Sequence, residues 1–151
     1  MVDSPPAIGT SRVTALRLVA TTLLALGATL VLTDCALARD GKDGRPEVRA
    51  AGSCSTGTTS KLRLRSRDGG LEMEFEVDHS RAGTPWRVAI VHERRVTWKG
   101  AARTSGPSGS FVVERRLPDL VGSDTVTARA WGPAGITCRA TATFPAGVAS
   151  S

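Results

Sequence analysis

Two histidines, His79 and His92, and three cysteines, Cys35, Cys54 and Cys138, are the residues of this chain with the widest chemical reach. A histidine is the usual base of a hydrolytic triad, and a cysteine acts as nucleophile, metal ligand or disulfide partner according to its surroundings. Here the spacing removes most of these roles. His79 directly follows Asp78, and neighbours on an extended chain point to opposite faces, so that carboxylate is a poor orienter of the ring. No Gly-x-Ser-x-Gly elbow occurs, and both histidines fall in or beside turns, where an exposed, non-catalytic ring is expected. Two isolated histidines without a Cys-x-x-Cys offer no zinc ligand set. The segment Asp40-Gly41-Lys42-Asp43-Gly44 begins like a calcium loop, but it lacks the later bidentate glutamate and carries an intruding Lys42. Gly69-Gly70 and Gly106 to Gly109 read as turns that open no helix, so no phosphate cradle is present. The sequence therefore predicts no catalytic residue, no metal and no cofactor.

What the cysteines do depends on residues 12–38. Arg12 and Arg17, the apolar run from Leu18 to Leu32 and the small residues of Ala36-Leu37-Ala38 have the order of an export signal, with a cut between Ala38 and Arg39. The run is shorter than the ~20 residues of a membrane-spanning helix, and Asp34 follows it closely, so cleavage is expected over anchoring. Lipidation at Cys35 would require a small residue before it, where Asp34 stands. Cleavage removes Cys35 and leaves Cys54 and Cys138, which in an oxidising compartment predict one structural disulfide. Four segments follow: signal peptide 1–38, flexible leader 39–53, one folded domain 54–144 and flexible tail 145–151.

The net charge is +6, and the signal region contributes none of it, because Arg12 and Arg17 offset Asp3 and Asp34. Such an excess attracts acidic partners, although an arginine bias with only Lys42, Lys61 and Lys99 as lysines also fits a general compositional trend. Specific nucleic-acid binding is not expected, since the chain holds three Trp, three Phe and no Tyr. Trp98 beside Lys99, Trp131 near Arg129, and Arg103 in the loop that follows are the candidate partner contacts, although tryptophan in so small a domain mostly packs inward.

The elements that must position these residues alternate with period two. Leu62 and Leu64 alternate with Lys61, Arg63 and Arg65; Arg67-Asp68-Gly69-Gly70 turns the chain; Leu71, Met73, Phe75 and Val77 then alternate with Glu72, Glu74 and Glu76. Centring the turn on Asp68-Gly69 pairs Arg65 with Glu72, Arg63 with Glu74 and Lys61 with Glu76, and on the other face Leu64 with Met73 and Leu62 with Phe75. A one-residue slip would lose both sets together. Further strands are predicted around Trp86, Val88 and Ile90, around Val96 and Trp98, from Ser110 to Leu117, from Thr125 to Trp131, and through Ile136, Cys138, Ala140, Ala142 and Phe144. About seven short strands, frequent turns and one buried disulfide predict an all-β, immunoglobulin-like two-sheet antiparallel sandwich, preceded by a signal-peptide helix.

The motifs Lys61-Leu62-Arg63-Leu64, Glu74-Phe75-Glu76-Val77, Trp86-Arg87-Val88, Gly109-Ser110-Phe111-Val112-Val113-Glu114-Arg115-Arg116 and Cys138-Arg139-Ala140 follow an order that resembles small secreted actinobacterial proteins with an Ig-like sandwich. The resemblance implies a fold and a secreted, extracellular location, but no site. An exported, monomeric, non-enzymatic binding module for an extracellular or cell-envelope protein or an anionic polymer is the leading expectation, with membrane contact only through an uncleaved signal. The alternatives are a secreted inhibitor of an extracellular hydrolase, inserting Arg103-Thr104-Ser105 into a cleft, and a carrier holding a small ligand between the sheets.

Overall fold

The computed structural model describes residues 38–40 and 44–147. The expected signal peptide up to residue 37, most of the calcium-like loop and the end of the tail lie outside the described residues. The described chain is all-β, with antiparallel strands β1 (Ala38–Asp40), β2 (Pro46–Cys54), β3 (Thr59–Arg67), β4 (Gly70–Asp78), β5 (Pro85–His92), β6 (Arg95–Arg103), β7 (Ser110–Pro118), β8 (Asp124–Trp131) and β9 (Thr137–Phe144). A short 3-10 turn, Pro133–Gly135, joins the last two. The proposed cut between Ala38 and Arg39 falls inside β1, whose backbone pairs with β2 from Ala38–Val48 to Asp40–Pro46.

The β3–β4 hairpin has the register that charge and apolar pattern demand: Lys61 opposite Glu76, Arg63 opposite Glu74, Arg65 opposite Glu72, and Leu62 and Leu64 opposite Phe75 and Met73. Asp68 and Gly69 both take positive φ, 47° and 74°, which makes the right-handed strand twist continuous through a two-residue turn. A second hairpin, β5–β6, turns at Glu93 and Arg94 with φ of 45° and 65°.

The strands follow one order, β6-β5-β8-β9-β2-β3-β4-β7, with β1 beside β2. The all-β antiparallel class is as expected, but in place of seven strands in two separate sheets, eight strands form a single path that curls into a nearly closed, barrel-like sheet. The physical reason is β2. Its residues Glu47 to Gly52 pair with β3, whereas Ser53 and Cys54 pair with β9, so one strand belongs to both halves. Gly52 sits at the change of partner, where a Cβ would collide with the Ser60 hydroxyl and lie 2.8 Å from the Arg139 carbonyl and 2.9 Å from the Ala140 methyl. The residues assigned to a flexible leader are therefore corrected from Pro46 onward: they form a strand with Val48 fully buried.

Inward residues of every long strand meet in one core, with Leu62, Leu64, Phe75, Trp86, Ile90, Val126 and Phe144 almost inaccessible to solvent. Each such side chain contributes about 1.5–3 kcal/mol of hydrophobic stabilisation. The Cys54–Cys138 disulfide closes a separation of 84 residues and lies directly across the β2–β9 ladder, with Cα atoms 4.1 Å apart. It therefore staples the change of partner in β2 to the last strand. The path ends at β6 and β7, where a backbone bridge pairs Ser105, just after β6, with Ser110 and the Arg115 guanidinium lies 4.1 Å from the centre of the Trp98 ring, a contact of ~0.5–2 kcal/mol.

Candidate functional site

Residues that alternate with the core on β5, β6, β8 and β9 form one outer sheet face. Cross-strand register fixes its rows. Ala101, Arg87, Trp131 and Thr137 make one row, and Lys99, Ala89, Arg129 and Arg139 the next, with Ser53 of β2 extending the second. Arg103 stands one step further along β6 opposite Pro85. Beyond the cationic rows the face becomes a hydroxyl ladder, with Thr127 and Thr141 Oγ atoms 2.9 Å apart and those of Thr125 and Thr143 3.1 Å apart.

Arg87, Lys99, Arg103, Arg129 and Arg139 are all exposed, and no outward position in these rows carries Asp or Glu. Among the described residues none of these cations takes part in an ion pair; Arg103 alone has a fixed partner, donating to the Gly83 carbonyl. Like charges at this density repel one another and create a local positive potential that a bound anion would relieve.

Trp131 is half-buried in the middle of the rows and walls two clefts. One, of about 520 Å³, is lined by Arg129, Arg139, Thr137, Ser53 and Ser55 above the disulfide. The other, of about 360 Å³, is lined by Arg87, Lys99, Ala89 and Gly100. Both are depressions open to solvent along the sheet face. The arrangement offers two cation pairs divided by one aromatic wall.

Of the sequence-predicted contacts, the structure brings Trp131 and Arg103 to this face but not Trp98. Trp98 pairs with Ile90 on the inward side of β6, packs against the core and lies over Gly100, which has no side chain to obstruct the ring. Arg87, Arg129 and Arg139 emerge only once β5, β8 and β9 are paired, and their alternation with buried Ala and Val is the signal that carried them. Thr104, in the segment considered for insertion into a protease, is buried; its hydroxyl donates to the Arg81 carbonyl at 2.5 Å and accepts the Thr84 amide at 2.9 Å.

The histidines require a correction. His92 is the buried last residue of β5, and its Nε2 lies 2.5 Å from Oδ1 of the equally buried Asp124. Asp124 also accepts the Leu120 amide, and Glu93 accepts the Thr125 amide. Donor atoms of His92, Glu93 and Asp124 fall within 4.8 Å of one another, a set able to meet a cation, yet each has a protein partner. Its evident work is to clamp the β5–β6 turn to the start of β8. Beside it, loss of surrounding water, a hydrogen bond with Asp124 and the like charge there raise the Asp119 carboxyl above its ordinary 3.8. His79 is also engaged, its Nδ1 2.9 Å from the Thr58 hydroxyl and its ring edge-on to Trp86 at 5.4 Å. The Thr58 hydroxyl is therefore the side-chain polar partner of His79, and Asp124 that of His92.

No protein-family model matches the chain, and no curated protein matches it. The class that fold and surface define is a disulfide-stapled antiparallel β domain with a cationic sheet face.

Proposed function

We propose that this chain is an exported, non-enzymatic binding module that holds an anionic partner on the outer face of β6-β5-β8-β9. The observation that carries the reading is the segregation of charge: five exposed cations share a surface whose outward positions hold no carboxylate. A fold needs no such array, because every added like charge there weakens the compact state slightly.

Export is supported by the signal-like N-terminus and by a disulfide suited to an oxidising compartment. No helix of the described residues is long and apolar enough to cross a membrane. The finer fold reading is immunoglobulin-like. With β2 taken as an added joint, β3-β4-β7 and β6-β5-β8-β9 follow the strand order of that sandwich, and Trp86 stands on the third of those seven strands, where the core tryptophan belongs. The disulfide departs from that pattern by joining the adjacent, paired strands β2 and β9 rather than the two sheets.

The test is retention of the purified protein on a sulfated, polyanionic resin. The wild type is expected to elute at a salt concentration well above that of the double variant Arg129→Glu/Arg139→Glu, because contacts to a polyanion weaken steeply with salt. Equal elution of the two would overturn the assignment to this face. N-terminal sequencing of protein recovered from the culture medium is expected to begin at Arg39; a retained leader would overturn the export reading.

A further inference from the structure

We propose that the partner of this face is an acidic polysaccharide bearing carboxylates on successive sugar rings, with one ring seated on Trp131. The inference rests on the proposed anion-binding role of the face and adds the chemistry of the ligand. Its basis is alternation. Arg129 and Arg139 line the cleft on one side of Trp131, Arg87 and Lys99 the cleft on the other, and the tryptophan is common to both. A ligand matching that order presents an anion, a ring with an apolar face, and another anion.

A uronate chain has this construction. Its carboxylates suit arginine, whose planar guanidinium donates two parallel hydrogen bonds to one carboxylate. The C–H face of a pyranose ring packs on an aromatic plane and removes apolar surface from water on both partners. Ring hydroxyls find donors and acceptors in Ser53, Ser55 and Thr137, which line the larger cleft. A sheet face open along its rows also admits a long polymer without requiring an end.

The other polyanions match less of the surface. An inorganic polyphosphate would use the cations but gain nothing from the half-buried indole. A single-stranded nucleic acid draws its affinity from several successive aromatic platforms, whereas this face has one: Trp86 and Trp98 point inward, and Phe75, Phe111 and Phe144 are buried.

The experiment is a set of titrations of the purified full chain, followed by calorimetry at low and moderate salt, with oligogalacturonate, polyphosphate, oligodeoxythymidylate and neutral dextran as probes. Oligogalacturonate is expected to bind most tightly and dextran not at all. Trp131→Ala is expected to weaken oligogalacturonate at least tenfold while changing polyphosphate affinity less than twofold, and Trp131→Phe to recover most of the loss. Thermal melting of each variant verifies that it is folded. Polyphosphate or oligodeoxythymidylate binding as tightly as oligogalacturonate, or no specific loss in Trp131→Ala, overturns the polysaccharide inference while the anionic face stands. If Arg129→Glu/Arg139→Glu leaves the affinity for every anion unchanged, the face itself is overturned.

Discussion

The two outer faces of this sheet treat charge in opposite ways. On β3 and β4, cations and carboxylates stand in register and neutralise one another: Lys61 Nζ is 3.6 Å from Glu76, Arg63 pairs with Glu74, and Arg67 lies 2.9 Å from Glu72. Arg65, opposite Glu72 in register, lies 3.5 Å from Glu47 of β2, so the ladder extends over a third strand. On β5, β6, β8 and β9 the cations instead face alanine, threonine, tryptophan and one another. A paired surface is complete within the molecule and serves register; an unpaired one leaves its cations to solvent, and the proposed anionic partner rests on that difference. Comparable numbers of arginines are therefore placed in opposite surroundings, and only their neighbours tell which.

The most severe way to break the comparison is to release the joint that holds the halves together. Replacing both Cys54 and Cys138 by serine frees a loop of 84 residues, for which the chain-entropy relation gives about 4.5 kcal/mol of lost stability. Denaturant melts of wild type and variant measure it; a difference under 1 kcal/mol would show that β2 pairing alone closes the sheet. Next in size is His92→Ala, which leaves Asp124 buried without its main partner and is expected to lower stability by about 3 kcal/mol. Asp124→Asn with His92 intact should lose less, because the amide still offers a hydrogen-bonding partner to the ring and to the Leu120 amide.

Charge reversals sharpen the contrast directly. Glu74→Lys sets a cation against Arg63 and is expected to lower stability by about 1 kcal/mol with little effect on polyanion retention. Arg129→Glu should move retention strongly and stability by less than about 0.5 kcal/mol. The comparison fails if the two variants exchange effects. The smallest effect concerns Asp119, whose raised proton affinity means that its ionised form is disfavoured by folding. That penalty is fully present once pH exceeds the raised folded-state value and disappears as pH falls below the ordinary 3.8. Asp119→Asn is therefore expected to raise Tm slightly at pH 7, with the gain vanishing in acid; melts across that range measure it.

How much was legible beforehand followed from how local the information is. The β3–β4 hairpin was readable to the residue pair, since Asp68-Gly69 sets the turn and both faces penalise a slip. The inward set on β9, Cys138, Ala140, Ala142 and Phe144, was equally plain. Strand β2 was not: Pro46, Ala50, Ala51 and Gly52 carry little strand preference, and Gly52 is required by close packing at the partner change rather than by flexibility. His92 was misread as an exposed turn residue, yet it continues the inward phase of Trp86, Val88 and Ile90. Its partner Asp124 lies 32 residues away, beyond any local pattern.

By itself the sequence determined the all-β class, the pairing of Cys54 with Cys138, the β3–β4 register and a net positive charge. The class, the register and the charge are properties of composition or of neighbours a few residues apart, and the disulfide follows from the count of cysteines. Tertiary structure alone decided that β2 closes the sheet, that His92 is clamped rather than free, and that Trp98 turns inward while Trp131 stands among cations. Those outcomes depend on which distant strands lie side by side, and period-two alternation fixes the face of a residue within its strand without naming the neighbours it meets across the ladder.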